Sequence, residues 1–196
     1  EKIRDTKILV IFCIMIFSVG MGCIYLTAPK FLDYENKEGL INNILLENND
    51  LKIKKLSNIN YKIFPSPRLI LSNVSFEMGD KIILTENSQI QIILKLSKII
   101  NFKKSSYNKI YINSKNFRFN ISKSQKLLSL LKKNKKNIFF KKGNIIFFIN
   151  KKNILTINNA DFNLKPESKK NKLSIKGFVL NEIISLSLVN NIKGKN

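Results

Sequence analysis

Histidine and tryptophan are absent from this chain of 196 residues, cysteine occurs twice, and arginine only as Arg4, Arg68 and Arg118. Each absence closes a route. Without histidine there is no imidazole general base, no Ser-His or Cys-His nucleophile pair and no usual zinc ligand. Both cysteines, Cys13 and Cys23, fall inside an apolar run near the N-terminal end, where neither a disulfide framework nor a metal site is built. No Gly-rich phosphate loop, Cys-x-x-Cys or sequential acidic metal loop occurs. The residues predict a protein with no catalysis, no metal and no cofactor.

Lysine is the residue in excess, and with it the chain reaches a formal charge of +22 and a pI near 10.0. Such a charge ordinarily points to nucleic acid or an anionic membrane surface. Here it accompanies abundant Asn and Ile, whose codons are AT-rich like those of Lys. Phosphate and base recognition leans instead on the bidentate arginine fork. Compositional drift therefore accounts for the charge without a nucleic-acid partner. Hydrophobic residues make up 44% of the chain, enough for a substantial core, and they lean to β-branched Ile and to Phe, both strand formers.

From Ile8 to Leu26 the text ILVIFCIMIFSVGMGCIYL carries no charge, and about 20 such residues cross a hydrocarbon core of about 30 Å. Residues 8–26 are read as a transmembrane helix and 1–7 as a cytoplasmic stub. A cleaved signal is disfavoured, because the apolar stretch is long and Ala28 is followed by Pro29. Lys2, Arg4 and Lys7 crowd the stub, whereas Lys30 and Lys37 are offset by Asp33, Glu35 and Glu38. The positive-inside rule then places the N-terminus in the cytoplasm and the remainder in a periplasm or its equivalent.

Residues 27–50 read as a juxtamembrane helical segment: Leu32, Leu40, Ile41, Ile44 and Leu45 follow a partly helical spacing over 31–47, resting near the membrane. From residue 51 to 196 the texture changes to period two, predicting a β-rich domain. Val74, Phe76 and Met78 end at the turn pair Gly79-Asp80 before Lys81 to Leu84, which is a hairpin signature. Further strands are expected at 89–96, 109–113, 116–121, 144–150, 153–158, 160–164, 173–177 and 181–189, joined as an antiparallel meander. One interruption, Ser122 to Lys136, sets Leu127, Leu128, Leu130 and Leu131 on one helix face, with Ser122 or Ser124 as its cap. It reads either as a plug closing the sheet or as a basic helix on headgroups.

The most distinctive local text is NYKIFPSPRLILSNVSF, in which Pro65 and Pro67 stop one strand and turn into the next. With the anchor before it, and NFRFNI, a Leu-rich helix, ILTINNADFNL and LSIKGFVL after it, the order of features resembles the N-terminal region of the AsmA-like family of envelope proteins. Members of that family are commonly much longer and this chain begins without Met, so a truncated or short form is expected. The resemblance implies an inner-membrane-anchored, extended and curved antiparallel β-sheet, groove-like, with one or two short amphipathic helices. It also implies a role in shielding or conducting phospholipid acyl chains toward an outer membrane. Membrane phospholipids would then be the partners, with other envelope proteins as a further class. Alternation selects Val74, Phe76, Met78, Phe117, Phe119 and Ile121 as the apolar lining of that groove, although a closed core would read the same way.

Two other readings compete. A membrane-tethered structural or assembly factor would use exposed sheet edges. A nucleic-acid-binding domain would use Lys132, Lys133, Lys135, Lys136, Lys141 and Lys142 with Phe139 and Phe140, but the expected topology opposes it.

Overall fold

The computed structural model describes residues 2–28, 38–99, 107–166 and 170–191. Helix α1 runs from Lys2 to Thr27, and its stretch Val10–Thr27 is long and apolar enough to cross a membrane, with none of that stretch buried against the rest of the protein. Within it Ser18 and Thr27 return their hydroxyls to the carbonyls of Ile14 and Cys23. The part of the expected juxtamembrane helix at 31–37 lies outside the described residues. Its remainder is α2, Glu38–Asn49, which buries Ile41, Ile44 and Leu45 in the core of the sheet. This helix is thus part of the folded β-unit.

Ten strands follow: β1 Leu51–Lys55, β2 Asn58–Lys62, β3 Arg68–Met78, β4 Ile83–Leu94, β5 Tyr107–Asn113, β6 Asn116–Asn120, β7 Asn137–Ile149, β8 Lys152–Pro166, β9 Lys170–Val179 and β10 Glu182–Asn191. All belong to one sheet, ordered β1-β3-β4-β5-β7-β8-β9-β10. Two positions in it are broken strands. β1 and β2 lie in succession along β3, and β5 and β6 lie in succession between β4 and β7. The expected strands at 153–158 and 160–164 are one strand, β8, kinked by a register shift at 158–161 with Asn159 at φ 44°.

Pairing is not a pure meander. β5 and β6 both run parallel to β7, because the Leu-rich segment between them is a crossover that carries the chain back to the other end of the sheet. That segment is a 3₁₀ turn, Ile121–Lys126, followed by α3, Leu127–Lys133. Its cap is neither serine: the Asn120 side chain accepts from the Ser122 amide. Elsewhere the abundant asparagine serves the hairpins, since Asn tolerates left-handed backbone. Asn150-Lys151 and Leu180-Asn181 form tight turns with positive φ at both residues.

The sheet curls until α2 and α3 span the gap between its β1 and β9–β10 ends, α2 against β1 and α3 against α2, β9 and β10. Leu130 and Leu131 are fully buried in the common core, so α3 is a plug. A polar knot pins it. The Asn49 amide donates to Asn134 Oδ1 (2.6 Å) and to the Lys136 carbonyl (3.0 Å), and the Tyr107 hydroxyl donates to Asn49 Oδ1. Lys135 N–H reaches the Asn48 carbonyl, and Asn171 Nδ2 reaches that of Leu131. Each bond satisfies a group that burial would otherwise leave at a cost of about 1–3 kcal/mol.

The register defines two ends of the sheet. The Pro65–Pro67 turn, the end of β4, and the starts of β5 and β7 share one end, called the foot. The β3–β4, β7–β8 and β9–β10 turns share the other.

Candidate functional site

Val74, Phe76 and Met78 on β3 and Phe117 and Phe119 on β6 all point inward and are buried. The Phe117 ring packs on Phe140 (centroids 4.8 Å), Phe162 (5.1 Å) and Phe76 (6.5 Å), while Phe119 packs on Phe147 (5.4 Å). Ile121 has left the strand, opens the 3₁₀ turn and is half-buried. At these positions the inner face is filled with the chain's own side chains. Alternation reports which face is covered but not what covers it, and here Phe117 is covered by Phe76, Phe140 and Phe162 of β3, β7 and β8.

Open apolar surface lies instead at the foot. Pro65 and Pro67, lacking amide donors, end β2 at Lys62 and start β3 at Arg68. The Pro67 carbonyl accepts from Leu94 N–H and holds the turn against the end of β4. Beyond β4 a 3₁₀ turn, Leu96–Lys98, folds toward α1. Two phenols tie α1 to this end: Tyr25 donates to the Leu96 carbonyl (2.8 Å) and Tyr61 to the Leu26 carbonyl (3.0 Å). Burial, and then the neighbouring Tyr25, hold the Tyr61 hydroxyl above its usual pKa, so it remains a donor.

Between these parts runs an open groove of about 830 Å³, lined by Leu26 of α1, Ile63 to Pro67, Ile93 to Ser97, Asn108 and Lys109. Phe64 is 83% exposed and Leu96 61%. Both stand in the open beside a helix long and apolar enough to cross a membrane. Among the described lining residues none is acidic, whereas Lys95 and Lys109 line the groove and Lys62 and Lys98 flank it. Burial, with Lys95 as a second cause, lowers the pKa of nearby Lys136. Sequence reasoning found the proline turn but missed the groove; Phe64 beside two prolines and Leu96 just past a strand were the available signal.

Two further clefts, of about 310 and 400 Å³, are lined chiefly by charged and polar groups such as Glu86, Asn87, Lys115 and Arg118. Among the described residues no cluster of three metal-ligating side chains occurs. The Phe139–Phe140 pair of the nucleic-acid reading is divided by the strand: Phe140 is in the core, while Phe139 stacks on Tyr111 beneath the Lys165 ammonium. The chain matches no family model, no curated protein and no solved structure.

Proposed function

We propose that this is a non-enzymatic, single-pass membrane protein that shields or conducts phospholipid acyl chains. Its stub lies in the cytoplasm and its sheet in the periplasm, where it supports outer-membrane biogenesis as the AsmA-like order of features implies. The observation that carries the reading is the position of the groove, whose lining includes Leu26 on the last helical turn of α1. A lipid tail leaving the bilayer beside α1 would meet apolar surface at once. Each methylene kept from water contributes about 0.8 kcal/mol, and the groove falls within the roughly 300–1,000 Å³ of small-ligand sites. The foot, rather than the packed face at Phe117, is then the entry.

Phospholipid exchange between vesicles carrying the full-length chain tests this. Phe64→Asp puts a charge at the mouth of the groove without touching the core, so exchange should fall at least about tenfold while thermal melting is unchanged. A parent protein that moves no lipid, or a Phe64→Asp variant that moves it at the parental rate, removes the groove from the mechanism.

A second reading, a tethered assembly factor, is favoured by one observation. The β1–β2 edge is short and lysine-rich, with the Ile53 amide occupied by Asn42 of α2, whereas β10 is ten residues long, ends the sheet and contains no lysine.

A further inference from the structure

We infer that the foot of the sheet docks on the anionic headgroup layer of the membrane that α1 spans, giving the protein a second membrane contact beside its anchor. The inference concerns how the domain sits on the bilayer, and it stands whether or not lipid moves through the groove.

Four observations converge. Tyr25 and Leu26 lie in the last helical turns of α1, and the Tyr25 hydroxyl is bonded to Leu96, so Leu96 is held at the level where the apolar helix ends. Phe64 and Leu96, the exposed apolar side chains at the foot, flank that same point. Tyrosines at helix ends with apolar neighbours are the composition of a membrane interface. Finally, Lys62, Lys95, Lys98 and Lys109 lie around the apolar pair, and the ion pairs Lys54–Glu77, Lys126–Asp80 and Lys133–Asp50 lie elsewhere. Wedge residues ringed by lysine match a surface with apolar depth and negative phosphate at its rim. Lysine on a long methylene stem reaches the phosphate while its stem lies along the acyl boundary.

The chain's lack of tryptophan makes the test direct. Full-length protein carrying a single Phe64→Trp reporter is reconstituted in vesicles of phosphatidylcholine with one third phosphatidylglycerol, part of the lipid being brominated near the headgroup. Leu96→Trp is a second reporter. Leu180→Trp, 92% exposed in the β9–β10 turn at the other end of the strands, is the water-exposed control. Docking gives blue-shifted emission and strong quenching at positions 64 and 96 and neither at 180. It also predicts that the triple variant Lys62→Gln, Lys95→Gln, Lys98→Gln, or vesicles of phosphatidylcholine alone, cuts quenching at position 64 at least twofold. Each lysine near an anionic surface is worth about a fivefold change in occupancy. Tryptophans at 64 and 96 that are as unquenched as the one at 180 overturn the docking. Quenching indifferent to both headgroup charge and the three lysines overturns the anionic partner. Lipid exchange is scored separately, so failure of the lipid-handling reading leaves these outcomes unchanged.

Discussion

Single side chains in this molecule are decided by what lies above the sheet's inner face. Phe117, with three aromatic neighbours and no exposure, cannot be replaced by a relaxed neighbour. Phe117→Ala should cost about 3–5 kcal/mol, read as a fall in the chemical-denaturation midpoint at unchanged slope; a cost near 1 kcal/mol would mean the interior collapses freely. Tyr107 is the titrating counterpart. Burial raises its hydroxyl well above the ordinary tyrosine pKa, and that hydroxyl donates to Asn49. The unfolded chain ionises first, so the stabilisation is complete below about pH 10 and is lost as pH climbs through the raised folded value. Melting of the parent should fall more steeply above pH 10 than that of Tyr107→Phe, and the variant should be about 1–2 kcal/mol weaker at neutral pH. Parallel alkaline slopes for the two proteins would dismiss Tyr107 as the linked group.

Elements were legible where a local pattern decides them. The apolar run, the β3–β4 hairpin, the proline turn and the Leu-rich helix all follow from periodicity and turn chemistry at 8–26, 74–84, 65–67 and 122–136. What escaped was non-local. The parallel pairing of β5 and β6 with β7 depends on the helix crossing the sheet, which alternation in the strands does not encode. The groove at the foot escaped for a related reason, since it is assembled from α1, a turn and the end of β4, segments far apart in the chain. α3 is the element on which closure turns: Leu131→Ala should cost about 2–5 kcal/mol and increase binding of a dye that reports apolar surface, whereas the exposed Lys132→Ala should stay within about 0.5 kcal/mol. Equal small effects would mean α3 merely rests on the sheet. At the β10 edge, Ser185→Lys with Ser187→Lys should leave melting nearly unchanged while abolishing any capture of partner proteins; capture that survives both lysines would move the assembly reading off this edge.

For the whole molecule the decisive quantity is sidedness, because the same +22 charge has opposite implications in the two compartments. In the cytoplasm it would draw nucleic acid at low salt; facing a periplasm it would lie against anionic headgroups. The native cysteines make the chain its own reporter. Cys13 and Cys23 stand on the exposed surface of α1 within its apolar stretch, about 15 Å apart at 1.5 Å per residue. Thiols react as thiolates and need water to ionise, so both should resist an impermeant maleimide in intact membranes and react once detergent and denaturant strip the bilayer away. Ser57→Cys, on an exposed loop between β1 and β2, supplies the sided signal. In cells with the outer membrane opened and the inner membrane intact, it should label fully while Cys13 and Cys23 do not. If Ser57→Cys labels only after the inner membrane is broken, the sheet is cytoplasmic: the lipid-handling and envelope-assembly readings then fall together, and the lysine-rich surface has to be reconsidered as a nucleic-acid contact. If instead the two native cysteines label in intact membranes, α1 does not span, and docking at the foot would be the only membrane contact left to test.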